Sequence, residues 1–148
     1  VEHGTLIDIL LIEDSPNDAE LMIRAFRKQN IANAITIITD GGEALDFIFC
    51  RGAYCSRGAV PLPRVILLDL KLPKVSGLEI LKAIKSEERL RMVPVVVVTS
   101  SQEDPDITTA YALGANSYVV KPVSSSAFIE AMSNLGLYWV LVNRPPIA

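Results

Sequence analysis

Two short segments limit what this chain can become. Val65-Ile66-Leu67-Leu68 and Val95-Val96-Val97-Val98 carry no polar side chain on either alternating face. A strand with one wet face alternates apolar and polar residues, whereas one that is apolar throughout must be covered on both sides. Such strands belong to a mainly parallel sheet with helices on each face. Ile7 to Ile12 has the same character, interrupted only by Asp8.

Helix signals fill the intervals. Ser15-Pro16 suits an N-cap and a first helical position, and Ala19, Met22, Ala25 and Phe26 then recur at helical spacing up to about Gln29. Residues 34–39 are rich in Ile and Thr and read as a strand. Asp40 with Glu43 is a capping-box pattern opening a helix through Phe49. Residues 50–64 hold Gly, Pro and Arg and read as a long loop. Ser76 and Glu79 form a second capping-box pattern, with Leu78, Leu81 and Ile84 as the apolar stripe behind it. Pro105 to Leu113 is a short helix closed by Gly114, Ser117 to Val120 a strand, and Ser125 to Val142 a last helix. The expected fold is α/β, a five-stranded parallel sheet with helices on both faces. Periodicity does not reveal the strand order.

With 148 residues the chain is sized for one domain, and at 50% apolar and 21% charged it is not a disordered segment. A net charge of −3 argues against bulk nucleic-acid binding. No apolar run is long enough for a spanning helix, and the start Val1-Glu2-His3-Gly4 does not read as a secretory signal. Cys50, Cys55 and the one histidine, His3, cannot supply four zinc ligands. The cysteines read as free thiols of a reducing compartment, which points to the cytoplasm. A local disulfide between them stays open.

The polar groups of interest follow the strands: Glu13 and Asp14 the first, Asp69 the third, Thr99 the fourth and Lys121 the fifth. Open parallel sheets bind ligands beyond these carboxyl ends. Three carboxylates together repel one another, and a divalent cation relieves this; carboxylates with water suit Mg²⁺. Lys121 adds a point charge for an anion such as a phosphoryl group, and Thr99 adds a hydroxyl. The set suits phosphoryl transfer, which depends mostly on positioning and charge neutralisation. Taken singly, each residue has an ordinary explanation. Asp69 can end a strand, Lys121 can be a solvated charge, Glu13-Asp14 can precede a capped helix, and Thr99 is common in turns. Their joint placement after four strands is what carries weight.

In order along the chain, LLIED at 10–14, ILLDLKLPKVSG at 66–77, VVVVTSS at 95–101 and SYVVKP at 117–122 resemble the motifs of a response-regulator receiver domain of two-component signalling. The resemblance spans about residues 6–142, leaving tails at 1–5 and 143–148 and no separate output domain. It implies a flavodoxin-like doubly wound fold and a stand-alone regulator. It makes Asp69 the phosphoacceptor for a histidine kinase, catalysing only its own phosphorylation and dephosphorylation. It implies Mg²⁺ or Mn²⁺ held by Glu13, Asp14, Asp69 and the main-chain carbonyl of Lys71. Lys121 would pair with the phosphoryl oxygens, with Thr99 and Tyr118 as switch residues. On phosphorylation Thr99 would turn towards the phosphoryl group and Tyr118 would move inward. It also implies a cis peptide before Pro122, which X–Pro bonds permit because trans is favoured by only about 0.5–1 kcal/mol. Glu13 stands where many members have Asp.

The last helix is expected to send Phe128, Met132, Leu135, Trp139 and Val142 inward, leaving Ile129, Leu137, Tyr138, Val140 and Leu141 off that stripe. Apolar residues off the buried stripe mark an interaction surface unless the 50–64 loop or the tail covers them. The expectation is a homodimer through Leu137, Tyr138, Trp139 and Leu141. This apolar end, followed by Pro145-Pro146, is also similar to the small response regulators serving bacterial and cyanobacterial phytochromes. That implies a light-sensing histidine kinase as partner, chosen through surface residues such as Arg24 and Arg27. Two other readings compete. A haloacid-dehalogenase-like phosphatase also places an Asp after a parallel strand, but its second acid would fall at Lys71. A nucleotide-binding domain would need a Gly-rich loop after the first strand.

Overall fold

The structure, a computed structural model, describes residues 8–30, 34–52 and 62–144. Five strands alternate with five helices: β1 (Ile9–Ile12), α1 (Pro16–Lys28), β2 (Ile35–Ile38), α2 (Gly41–Ile48), β3 (Val65–Leu68), α3 (Gly77–Ser86), β4 (Val95–Thr99), α4 (Asp104–Ala112), β5 (Ser117–Val120) and α5 (Ser125–Gly136). A π-helical turn, Leu137–Val142, continues α5. All strand pairs are parallel, in the order β2-β1-β3-β4-β5. The doubly wound α/β sheet is therefore present, with the direction of winding reversing beside β1.

The two apolar faces of the sheet feed two cores. Leu10, Ile12, Ile66, Leu68, Val95 and Val97 pack with Ala44, Phe47, Ile80, Leu81 and Ala110 of α2, α3 and α4. The alternate residues Ile9, Leu11, Val65, Leu67, Val96 and Val98 pack with Met22, Ala25 and Phe26 of α1 and Phe128, Met132 and Leu135 of α5. This is the period-two division that two covered faces require.

Helix starts follow their caps. The Ser15 hydroxyl accepts from Asp18 N, the Asp40 carboxylate from Glu43 N, and Ser76 closes a complete capping box with Glu79. Gly77, the first residue of α3, lies tight under the end of β3. A Cβ there would clash with the Asp69 carbonyl and sit 2.6 Å from Leu70 Cα. The glycine thus lets α3 begin directly against the strand that carries Asp69.

Two expectations fail. The first concerns the last helix, which does not run unbroken to Val142. The Asn143 N–H donates to the Tyr138 carbonyl five residues back, at 2.6 Å. A turn of this width inserts one residue into the stripe. Val140, five after Leu135, is buried at 5% exposure, while Val142 is 62% exposed. Trp139 is only partly buried, against the α1–α5 core. Arg64 anchors the turn, donating from Nη1 to the Val140 carbonyl at 3.4 Å while its Nε lies 3.6 Å from Asp8. The second is the peptide before Pro122. No cis peptide occurs among the described residues, so that bond is trans; the small preference between X–Pro isomers leaves both available.

Cys55, most of the 50–64 loop, and residues 145–148 lie outside the described residues. So do any pairing of Cys55 and any cover that loop or tail gives to α5. Among the described residues no helix is long and apolar enough to cross a membrane.

Candidate phosphoacceptor site

The carboxyl ends of β1, β3, β4 and β5 bring the expected side chains to one edge. Glu13 follows β1 and is 1% exposed, Asp69 follows β3 at 7%, and Thr99 ends β4 fully buried. Asp14 is the solvent-facing member of the acidic pair. One carboxylate oxygen from each of Glu13, Asp14 and Asp69 lies within 4.8 Å of the others.

Lys121 closes the site from β5. Its ammonium donates to Glu13 Oε1 at 2.7 Å, Asp18 Oδ2 at 2.8 Å and Asp69 Oδ2 at 3.0 Å, and its side chain is only 9% exposed. The β5 main chain sets the reach of this side chain, since Lys121 N donates to the Thr99 carbonyl at 2.8 Å. Asp69 Oδ1 accepts from Lys71 N at 3.3 Å, and Glu13 Oε2 from Ser15 N at 3.1 Å.

The electrostatics reflect crowding. Burial dominates for Glu13; with help from the nearby Asp69 charge it outweighs Lys121 and pushes the carboxyl up to about 7. For Lys121 burial works against the charged form, but hydrogen bonds to Asp18 and Glu13, with the charges of Glu13 and Asp69, overcome it and raise the amine above its usual range. A buried carboxylate held this reluctantly ionised, beside two more, is a donor set that a hard divalent cation fits. Glu13, Asp14 and Asp69 are the side chains that could hold it.

The two expected switch residues, Thr99 and Tyr118, both reach Ser101. Thr99 Oγ1 accepts from Ser101 N at 3.4 Å, and the half-buried Tyr118 donates its hydroxyl to the Ser101 carbonyl at 3.0 Å. The Ser101 hydroxyl in turn donates to Asp106 Oδ2 of α4 at 2.5 Å. Neither Asp18 nor Ser101 and Asp106 stood out in the sequence. Asp18 had a signal: it lies in the first turn of the helix that opens straight after Glu13-Asp14, so it returns to the same sheet edge. The four expected interface residues divide. Tyr138 and Leu141 are 48% and 61% exposed, whereas Leu137 and Trp139 pack partly against the core.

Comparison with known proteins agrees with this geometry. The family model described as the response regulator receiver domain matches residues 9–133. The chain belongs to the response-regulator receiver family. Among curated relatives, the receiver is 42% identical over 138 residues to the probable methanogenesis regulatory protein FilR2 of Methanothrix harundinacea (strain 6Ac), covering 93% of this chain and 86% of that one. It is 34% identical over 140 residues to response regulator Rcp1 of Synechocystis sp. (strain ATCC 27184 / PCC 6803 / Kazusa), covering 95% and 93%. The solved Mn²⁺-bound form of Rcp1 superposes with a TM-score of 0.87 at 33% identity, covering 94% of this chain and 98% of that one. The phosphorylated cyanobacterial phytochrome response regulator RcpA gives 0.88 at 31% identity, covering 96% and 99%. The bacteriophytochrome response regulator RtBRR gives 0.74 at 45%, covering 95% and 84%. The phosphatase reading falls with the family assignment, and the position two after Asp69 holds Lys71, which cannot act as the second acid.

Proposed function

We propose that this receiver is the phosphoacceptor of a two-component relay, taking a phosphoryl group on Asp69 from a phosphohistidine of a sensor kinase. The observation that carries this is the Lys121–Asp69 contact of 3.0 Å, buried beside Glu13 and Asp14. An Asp69 carboxylate oxygen forms the new bond to phosphorus as the phosphorus–nitrogen bond of the donor breaks, and the departing imidazole keeps that electron pair and takes a proton. A divalent cation, Mg²⁺ or Mn²⁺, held by Glu13, Asp14, Asp69 and the Lys71 carbonyl, would supply charge neutralisation. Lys121 offers N–H donors to the phosphoryl oxygens. The aspartyl phosphate adds charge and acceptor oxygens, to which the Thr99 hydroxyl turns. Ser101, tied to Thr99, Tyr118 and Asp106, carries that movement to α4 and β5.

The protein turns over no outside substrate in this reading. It acts on itself, in gaining and losing the phosphoryl group, and signals by contact from a receiver spanning about residues 6–142 in the cytoplasm. The similarity to the phytochrome response regulator RcpA and the bacteriophytochrome response regulator RtBRR supports a phytochrome kinase as partner. Arg24 and Arg27 line a groove between α1 and the edge strand β2, where such a partner can read charge. The exposed Tyr138 and Leu141, flanked by Leu137 and Trp139, support a homodimer.

Mass spectrometry after incubation with acetyl phosphate and Mg²⁺ tests the core of this. A single phosphoryl adduct, lost in Asp69→Asn, is expected. An unmodified wild-type chain would refute it. For the dimer, a single monomeric species in sedimentation with and without phosphorylation would count against it.

A further inference from the structure

Lys121 has three N–H donors and no acceptor, and each donor already has a carboxylate: Glu13, Asp18 and Asp69. A phosphoryl group arriving on Asp69 inherits the one donor that Asp69 now holds, and it gains a second only if Glu13 or Asp18 lets go. Glu13 and Asp18 differ in how easily they let go. Glu13 is 1% exposed, and its second oxygen is fixed by the Ser15 N–H at 3.1 Å. Releasing it leaves a buried carboxylate without its cation, which is costly. Asp18 is 28% exposed, so water can take over its hydrogen bond.

We propose that Asp18 is a positioning residue that holds Lys121 back and so restrains phosphorylation of Asp69. This rests on the reading of Asp69 as the phosphoacceptor. The restraint has two parts. Asp18 occupies a second donor that the phosphoryl oxygens could use, and it adds a further negative charge to a site where Glu13, Asp14 and Asp69 already repel an anionic donor. Its backbone place is independent of its carboxylate, because the Asp18 N–H is capped by Ser15 Oγ at 3.2 Å. Asp18→Asn therefore removes the charge while keeping size and helix start.

Two measurements on the full chain test it. With acetyl phosphate at saturating Mg²⁺, Asp18→Asn should be phosphorylated several-fold faster than wild type, and Asp18→Glu, which restores the charge, should return to the wild-type rate. A rate for Asp18→Asn at or below wild type overturns the proposal. In metal-free protein, NMR should show the Lys121 ammonium protons exchanging with water several-fold faster in Asp18→Asn; unchanged exchange overturns it equally. If the wild type forms no adduct at all, the reading of Asp69 fails, and the metal-free exchange still decides whether Asp18 clamps Lys121.

Discussion

The Tyr118 hydroxyl on β5 donates to the main-chain carbonyl of Ser101, beyond β4, at 3.0 Å. Burial raises the phenol above its usual range, so this hydroxyl stays a donor at any ordinary pH. Tyr118→Phe keeps the ring and removes one hydrogen bond, at about 1 kcal/mol. Denaturant melts should show that modest loss. If Ser101 relays the change at Thr99, the variant should also be phosphorylated as fast as wild type while its amide NMR shifts in α4 respond less.

Gly77 makes a larger demand. Because its missing Cβ is what lets α3 start against Leu70 and the Asp69 carbonyl, Gly77→Ala should cost roughly 1–3 kcal/mol as overpacking. A fall in the urea midpoint at constant m would register it. The same variant should slow phosphorylation, since the clash lies on the residue that carries the acceptor.

The π-helical turn predicts a contrast between two valines. Val140→Ala should cost roughly 2 kcal/mol, because that side chain is buried, and Val142→Ala should change stability by no more than about 0.5 kcal/mol. An unbroken helix would send Val142 inward instead. Thermal unfolding of the two variants therefore separates the two geometries.

Asp40 gives a pH signature. Its carboxylate accepts from Glu43 N at 2.6 Å, and this hydrogen bond holds its pKa below the ordinary value of 3.8. A carboxyl depressed on folding stabilises the fold above its unfolded pKa, and that contribution fades as pH falls from there through the lower folded value. Asp40→Ala should then cost about 1 kcal/mol near neutrality, as a lost N-cap. The gap between wild type and variant should close only in strongly acidic solution, which denaturation at stepped pH would reveal.

Most of the fold is legible because its strongest signals are local. All-apolar strands imply two covered faces, and Ser15, Asp40 and Ser76 announce helix starts that the structure confirms as caps. The site residues at strand ends were legible for the same reason, since parallel strands deliver their ends to one edge. Asp18 is less legible: its place in the first turn of α1 returns it to the same edge, but only the reach of Lys121 from β5 gives it a partner there. The π-helical turn was hidden by a simple period. Gly136, buried just before it, was the available warning, as glycine weakens a helix interior.

The order of strands fixes how far news of a modification must travel. Asp69 follows β3, and Thr99 and Tyr118 lie in β4 and β5, three successive strands running from the middle of the sheet to its rim. Adjacent strands lie about 4.8 Å apart, so two steps sideways, about 10 Å, separate the most sheltered strand from the one that borders the outside. On the proposed reading, the signal would cross the sheet sideways, from its centre to its margin, without any helix having to carry the message along its length.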